Sequence, residues 1–142
     1  MNNDIYSGFI ATDGGKQLSA NFKLKEFKSR TNPAVFISRE LVEVLQSIRN
    51  KLGSPININS GYRTQEHNKS VGGSINSAHL IGCAADISSP TVKAVEIARI
   101  AYAIYGKKIA IGLHTKENYV HIDIIYRGNH YAESLSNKVA HF

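Results

Sequence analysis

Residues 38–60 read SRELVEVLQSIRNKLGSPININS. Leu41, Val44, Leu45, Ile48 and Leu52 recur at steps of three and four, which is the apolar face of an α-helix. Ser38 can cap the first turn, and Glu40 and Glu43 favour its positive end. Gly53 stops the helix and Ser54-Pro55 turns the chain. The period then changes from 3.6 to 2, because Ile56-Asn57-Ile58-Asn59-Ser60 alternates as a half-buried strand does. A helix followed at once by a short alternating strand points to an α+β domain.

The remaining segments extend that pattern. The first 18 residues, with Gly8, Asp13, Gly14 and Gly15, read as irregular chain and turns, followed by a short extended piece at Leu18–Phe22. Residues 61–82 are polar and rich in Gly, Asn and Ser, so they read as a loop with one helical turn at Thr64–Lys69. Cys83–Ser88 reads as a strand. Ser89 as a cap and Pro90 in a first turn open a second helix at Thr91–Tyr105, ended by Gly106. Strands are expected at Lys108–His114 and Tyr119–Tyr126 around a tight turn at Thr115–Asn118, and a short helix at Tyr131–Lys138. The order implies a small, mostly antiparallel sheet flanked by helices.

The 142 residues suit one domain, with 42% apolar and 20% charged positions, a globular balance. The single cysteine, Cys83, excludes an intramolecular disulfide and an all-cysteine zinc site. It reads as a small buried filler. No run of 18 apolar residues or basic, apolar leader is seen, so neither a membrane span nor a secretory signal is expected. Seventeen Lys and Arg against eleven Asp and Glu give a formal charge of +6, which favours an anionic partner: nucleic acid, membrane surface or cell-wall polymer. The cluster Lys23, Lys25, Lys28 and Arg30 reads as a solvated face.

The chemistry concentrates in three stretches: SGYRT at 60–64, SAHLIGCAAD at 77–86 and YVHID at 119–123. A catalytic zinc takes three protein ligands and leaves one position for water. His79, Asp86 and His121 supply two imidazoles and one carboxylate for such a site. If Asp86 and His121 lie on neighbouring strands they can share a face, with His79 folding back from a loop that Gly82 frees.

These stretches carry a resemblance. Ser60-Gly-Tyr-Arg, Asn68, Val71-Gly72-Gly73, Ser77-x-His79-x-x-Gly82-x-Ala84-x-Asp86 and His121-x-Asp123 resemble the zinc D-Ala-D-Ala carboxypeptidase family. That family includes phage endolysin peptidases, and its fold is shared by hedgehog-type and lysostaphin-type zinc domains. The resemblance runs over about residues 20–127, beginning with Asn21-Phe-Lys-Leu-Lys-Glu-Phe27. It implies zinc bound by His79, Asp86 and His121, with Arg63 polarising the scissile carbonyl or holding a substrate carboxylate, and Ser77 orienting substrate. Many relatives carry an acid three residues before the last histidine as general base. That position here is Asn118, which leaves Asp123, expected on the same strand face as His121, and Glu117 in the turn. Asp123 is the expected base, and its alternative role is to fix the tautomer of a ligand imidazole.

The expected function is hydrolysis of peptide bonds in peptidoglycan stems by a monomer drawn to an anionic cell wall, with neither nucleic acid nor membrane as partner. An expected phage or prophage origin reconciles a wall substrate with the missing leader. The alternative is a non-catalytic, zinc-containing wall-binding module.

Overall fold

The computed structural model describes residues 5–30 and 32–132, with the backbone alone for residues 131 and 132. The elements in chain order are β1 (Ile5–Phe9), α1 (Ile10–Asp13), β2 (Gln17–Ser19), β3 (Phe22–Lys23), β4 (Ala34–Ser38), α2 (Arg39–Leu52), β5 (Asn57–Ser60), α3 (Gln65–Ser70), β6 (Ala84–Ser88), α4 (Ala94–Tyr105), β7 (Ala110–His114), β8 (Tyr119–Asp123) and β9 (His130–Ala132). Single 3₁₀ turns lie at Leu24–Phe27, Ala78–Ile81 and Gly106–Lys108.

The central sheet has the order β5-β6-β8-β7-β9 and is antiparallel except for β7 beside β9. Two small antiparallel ribbons, β1 with β4 and β2 with β3, accompany it. The α+β reading with a mostly antiparallel sheet and flanking helices is therefore borne out. Alternation gives the sheet two unlike faces. Ala85, Ile87, Ile111, Leu113, Val120 and Ile122 are buried in the core that α2 and α4 cover. Each large aliphatic side chain buried there contributes roughly 1.5–3 kcal/mol. Asp86, His121 and Asp123, at the alternate positions, belong to the other face.

α2 forms where its apolar period placed it. Ser38 Oγ accepts the Leu41 N–H, and Gly53 closes the last turn in the left-handed conformation. α4 starts three residues later than the sequence reading had it. Ser89 Oγ accepts the Thr91 N–H and holds residues 89–91 in a local turn, and the first helical N–H, from Ala94, goes instead to Asn118 Oδ1 at 2.9 Å. β8 stops at Asp123 rather than Tyr126, because the Asp123 carboxylate captures the Ile125 and Tyr126 N–H groups. The N-terminal residues read as irregular contain β1, whose five residues pair with β4. The segment expected as a helix from Tyr131 begins as strand β9, which ends at Ala132, and the rest lies outside the described residues.

Candidate metal centre

The register of the sheet assembles the site. Ser60, Asp86, His121 and Gly112 lie opposite one another across β5, β6, β8 and β7, and Ala84, Asp123 and Ala110 form the next row. Small residues thus flank Asp123 on both sides. His79 arrives from the 3₁₀ turn before β6. Gly82 ends that turn at φ +70°, a conformation L side chains avoid, and a Cβ there would press on the Phe36 carbonyl oxygen at 2.5 Å. The Gly82 carbonyl accepts the Ser38 N–H at 2.8 Å, which ties the metal-side turn to the start of α2.

His79, Asp86 and His121 offer one ligand atom each, all within 4.8 Å of one another. Asp86 Oδ1 lies 3.3 Å from His79 Nε2 and 2.9 Å from His121 Nδ1. The opposite nitrogen of each imidazole is already committed. His79 Nδ1 is 2.7 Å from the Gly61 carbonyl, which only accepts, so Nδ1 carries a proton and Nε2 is the nitrogen turned towards Asp86. His121 Nε2 donates to Asp123 Oδ2 at 2.7 Å, leaving Nδ1 to face Asp86. Such outer partners fix the tautomer of metal-binding histidines. The donor set, two imidazoles and a carboxylate with both rings oriented from behind, fits a zinc ion.

Arg63 closes the cluster with its planar fork. Nε donates to Ser60 Oγ at 3.0 Å, Nη1 to Asn68 Oδ1 at 3.2 Å and Nη2 to Asp86 Oδ2 at 3.2 Å. Burial alone would raise the Asp86 pKa, but hydrogen bonds from His121 and His79 overcome it and hold the carboxyl well below its usual range. Burial would depress His121, yet the hydrogen bonds to Asp123 and Asp86 push it up to about 9. Asp123 is likewise lowered: burial opposes ionisation, and the bonds from His121 and the Tyr126 and Ile125 N–H groups outweigh it.

The other candidate residues take different places. Asp123 is 2% exposed, and three bonds occupy its two oxygens: His121 on Oδ2, and the N–H groups of Ile125 and Tyr126 on Oδ1. Glu117 is exposed at the tip of the β7–β8 hairpin, in the turn 115–118. Ser77 caps the His79 turn, its Oγ accepting the His79 N–H at 3.2 Å, and lines a cleft of about 220 Å³. His121, Asp123, Ser74, Tyr126 and Asn129 also border that cleft, and Tyr126 donates its hydroxyl to the Asn76 carbonyl at 2.6 Å. Asn118 has φ +58° and is bonded to α4, so a backbone role occupies the position where an acid was sought. Burial raises the Cys83 thiol, and the half-buried residue is no member of the cluster. His114 stacks on Tyr119 at the hairpin end.

The contributors without a role in the sequence reading include the Gly61 carbonyl and Asn68. The Gly61 carbonyl could not be foreseen, because any residue supplies a carbonyl and only the fold aims it. Asn68 stood within the motif, but its contact with Arg63 depends on α3. Among the described residues no helix is long and apolar enough to cross a membrane. No curated protein matches the chain. The peptidase M15 family matches residues 19–123, a span that holds all three candidate ligands together with Arg63, Ser77 and Asp123, and the chain belongs to that family.

Proposed function

We propose that this chain is a zinc peptidase that hydrolyses a peptide bond in the stem peptides of bacterial peptidoglycan. The observation that carries the reading is the convergence of His79 Nε2, Asp86 Oδ1 and His121 Nδ1. Each group is held from behind, by the Gly61 carbonyl, Arg63 and Asp123 respectively. Zinc held by these residues would lower the pKa of its bound water towards ~7 and polarise the scissile carbonyl.

The chain's own residues supply the rest. Arg63 has five N–H groups, and the three bonds to Ser60, Asn68 and Asp86 leave one on each Nη for a substrate oxygen. Positive charge offered in this way would stabilise a developing oxyanion. The Ser77 oxygen accepts a backbone N–H, so its hydroxyl proton is available to a peptide lying in the cleft. Asp123, with both oxygens engaged, is assigned to hold His121 rather than to take a proton from water. The family membership supports peptide hydrolysis. The +6 charge favours accumulation at an anionic wall.

A second reading, a metal-bearing module without catalysis, is favoured by Asn118, whose side chain caps α4 where relatives are expected to carry an acid. Mass spectrometry of soluble fragments released from purified peptidoglycan separates the two. The peptidase reading expects new peptide termini with the zinc-loaded protein and none with His79→Ala. Full zinc content without any release would establish the module instead.

A further inference from the structure

Arg63 is held by three acceptors of unequal kind. Ser60 and Asp86 face each other across β5 and β6, so two of the three contacts come from the sheet itself. The third comes from Asn68 on α3, outside the sheet, and it sets where the far end of the guanidinium lies. Asn68 is 4% exposed and all its polar atoms are used. Oδ1 accepts from Arg63 Nη1, Nδ2 donates to the Ser74 carbonyl at 2.8 Å, the backbone carbonyl accepts the Gly73 N–H and the backbone N–H reaches the Thr64 carbonyl. The opposed demands of Arg63, which only donates, and of a carbonyl, which only accepts, fix which way the amide points.

Gly73 completes the arrangement. A Cβ at this position would overlap Asn68 Oδ1 and stand 3.1 Å from Arg63 Nη1. The backbone passes so close that no side chain fits. The chain then runs through Ser74, held by Asn68, to Ser77 and the cap of the His79 turn. One amide therefore links the guanidinium with the loop that delivers Ser77 and a candidate metal ligand.

We propose that Asn68 is a positioning residue that aims the Arg63 guanidinium at Asp86, with Gly73 providing the room. The idea rests on the role given to Arg63 above, and its test has one arm independent of peptide hydrolysis.

In the first arm, the Arg63 side-chain ¹⁵N resonances are recorded on the metal-free protein. Three fixed contacts restrain rotation about the Nε–Cζ bond, so the wild type is expected to show separate Nη signals. Asn68→Ala and Gly73→Ala are expected to merge them, and Asn68→Asp, which keeps the acceptor, to retain them. Unchanged Arg63 signals in a folded Asn68→Ala protein would overturn the proposal.

In the second arm, Asn68→Ala is made in the wild-type and Arg63→Ala backgrounds. A residue acting through Arg63 lowers kcat by ~10–100-fold in the first, the size of an outer-partner effect, and by less than about twofold in the second. Equal losses in both backgrounds would mean that Asn68 acts on stability alone and would overturn the proposal. A wild type that releases no peptide sinks the peptidase reading, and the resonance arm still decides the role of Asn68.

Discussion

Asp123 Oδ2 lies 2.7 Å from His121 Nε2, and on the far side of the same ring His121 Nδ1 lies 2.9 Å from Asp86 Oδ1. One imidazole is thus suspended between two carboxylates, one that can share a metal with it and one that cannot. Asp123 also accepts the Ile125 and Tyr126 N–H groups on Oδ1, so the carboxylate that orients the ring also ends strand β8 and starts the turn bearing Tyr126. Residues two apart on a strand share a face, which is why His121 and Asp123 meet.

From this geometry Asp123→Asn is expected to weaken zinc binding by ~10–100-fold, because the ring loses the carboxylate that fixes its tautomer. Turnover at saturating zinc is expected to recover most of its wild-type value. A general base behaves otherwise: its removal leaves zinc affinity intact and costs roughly 10²–10⁴-fold in rate. Competition with a chromogenic chelator and kcat at saturating zinc, measured on Asp123→Asn and Glu117→Gln, separate the two roles. An Asp123→Asn protein with unchanged zinc affinity and a rate loss above about 100-fold would show that Asp123 takes the proton.

The sequence displayed the chemistry more completely than its support. Ligand types and the α2 face were legible because they depend on residue identity and local period. The β1–β4 ribbon was not, and of the β2–β3 ribbon only an extended piece at Leu18–Phe22 was. Five residues of β1 are defined only by pairing with β4, and Phe36 and Phe9 remain exposed there, so no alternation marks them. The start of α4 was misjudged because Ser89 and Pro90 imitate a helix start, while the group that receives the first N–H, Asn118, lies 24 residues away. The strand expected to run to Tyr126 was cut short by a side-chain acceptor on its own last residue. Non-local partners explain the ribbon and the start of α4, and a local side-chain acceptor explains the end of β8.

Asn118 offers a test of that non-local cap. Its φ of +58° suits Asn or Gly, and its Oδ1 serves the Ala94 N–H. Asn118→Gly keeps the backbone and loses the cap, an expected cost of about 1 kcal/mol. Asn118→Ala loses the cap and also places an ordinary side chain in the left-handed region, adding about 1–2 kcal/mol. Chemical denaturation should rank wild type above Gly above Ala. Equal stability of the Gly and Ala variants would contradict the strained-turn argument.

Arg63→Lys keeps the positive charge but cannot serve Ser60, Asn68 and Asp86 together, since an ammonium lacks the planar fork. It is expected to retain one zinc per chain and to lose roughly 10²–10³-fold in kcat, the size of losing one oxyanion donor. Elemental analysis and rates on peptidoglycan fragments provide the check. Wild-type turnover in Arg63→Ala would remove Arg63 from the reaction.

The pH dependence of metal binding follows from His121. In the metal-free protein its pKa is raised from 6.5 to about 9, so the ring is an imidazolium between Asp86 and Asp123 through neutral pH. A group raised on folding stabilises the fold fully below its unfolded pKa and loses that contribution as pH climbs through its folded one. Metal-free stability attributable to His121 is therefore expected to decline between about pH 6.5 and 9. Zinc requires the Nδ1 lone pair, so binding must expel the proton, and affinity should rise over the same interval by close to tenfold per pH unit. The gain in affinity offsets the loss in metal-free stability, so the stability of the zinc-bound protein is expected to be level over this interval as far as His121 is concerned. Calorimetry in two buffers of different ionisation enthalpy at pH 7.5 is expected to show about one proton released from this ring per zinc bound. Asp123→Asn removes one of the two carboxylates that stabilise the imidazolium and should move proton release to lower pH. If zinc affinity were flat from pH 6.5 to 9, His121 would already be neutral in the metal-free protein, and the bridge between Asp86 and Asp123 would lack its second proton.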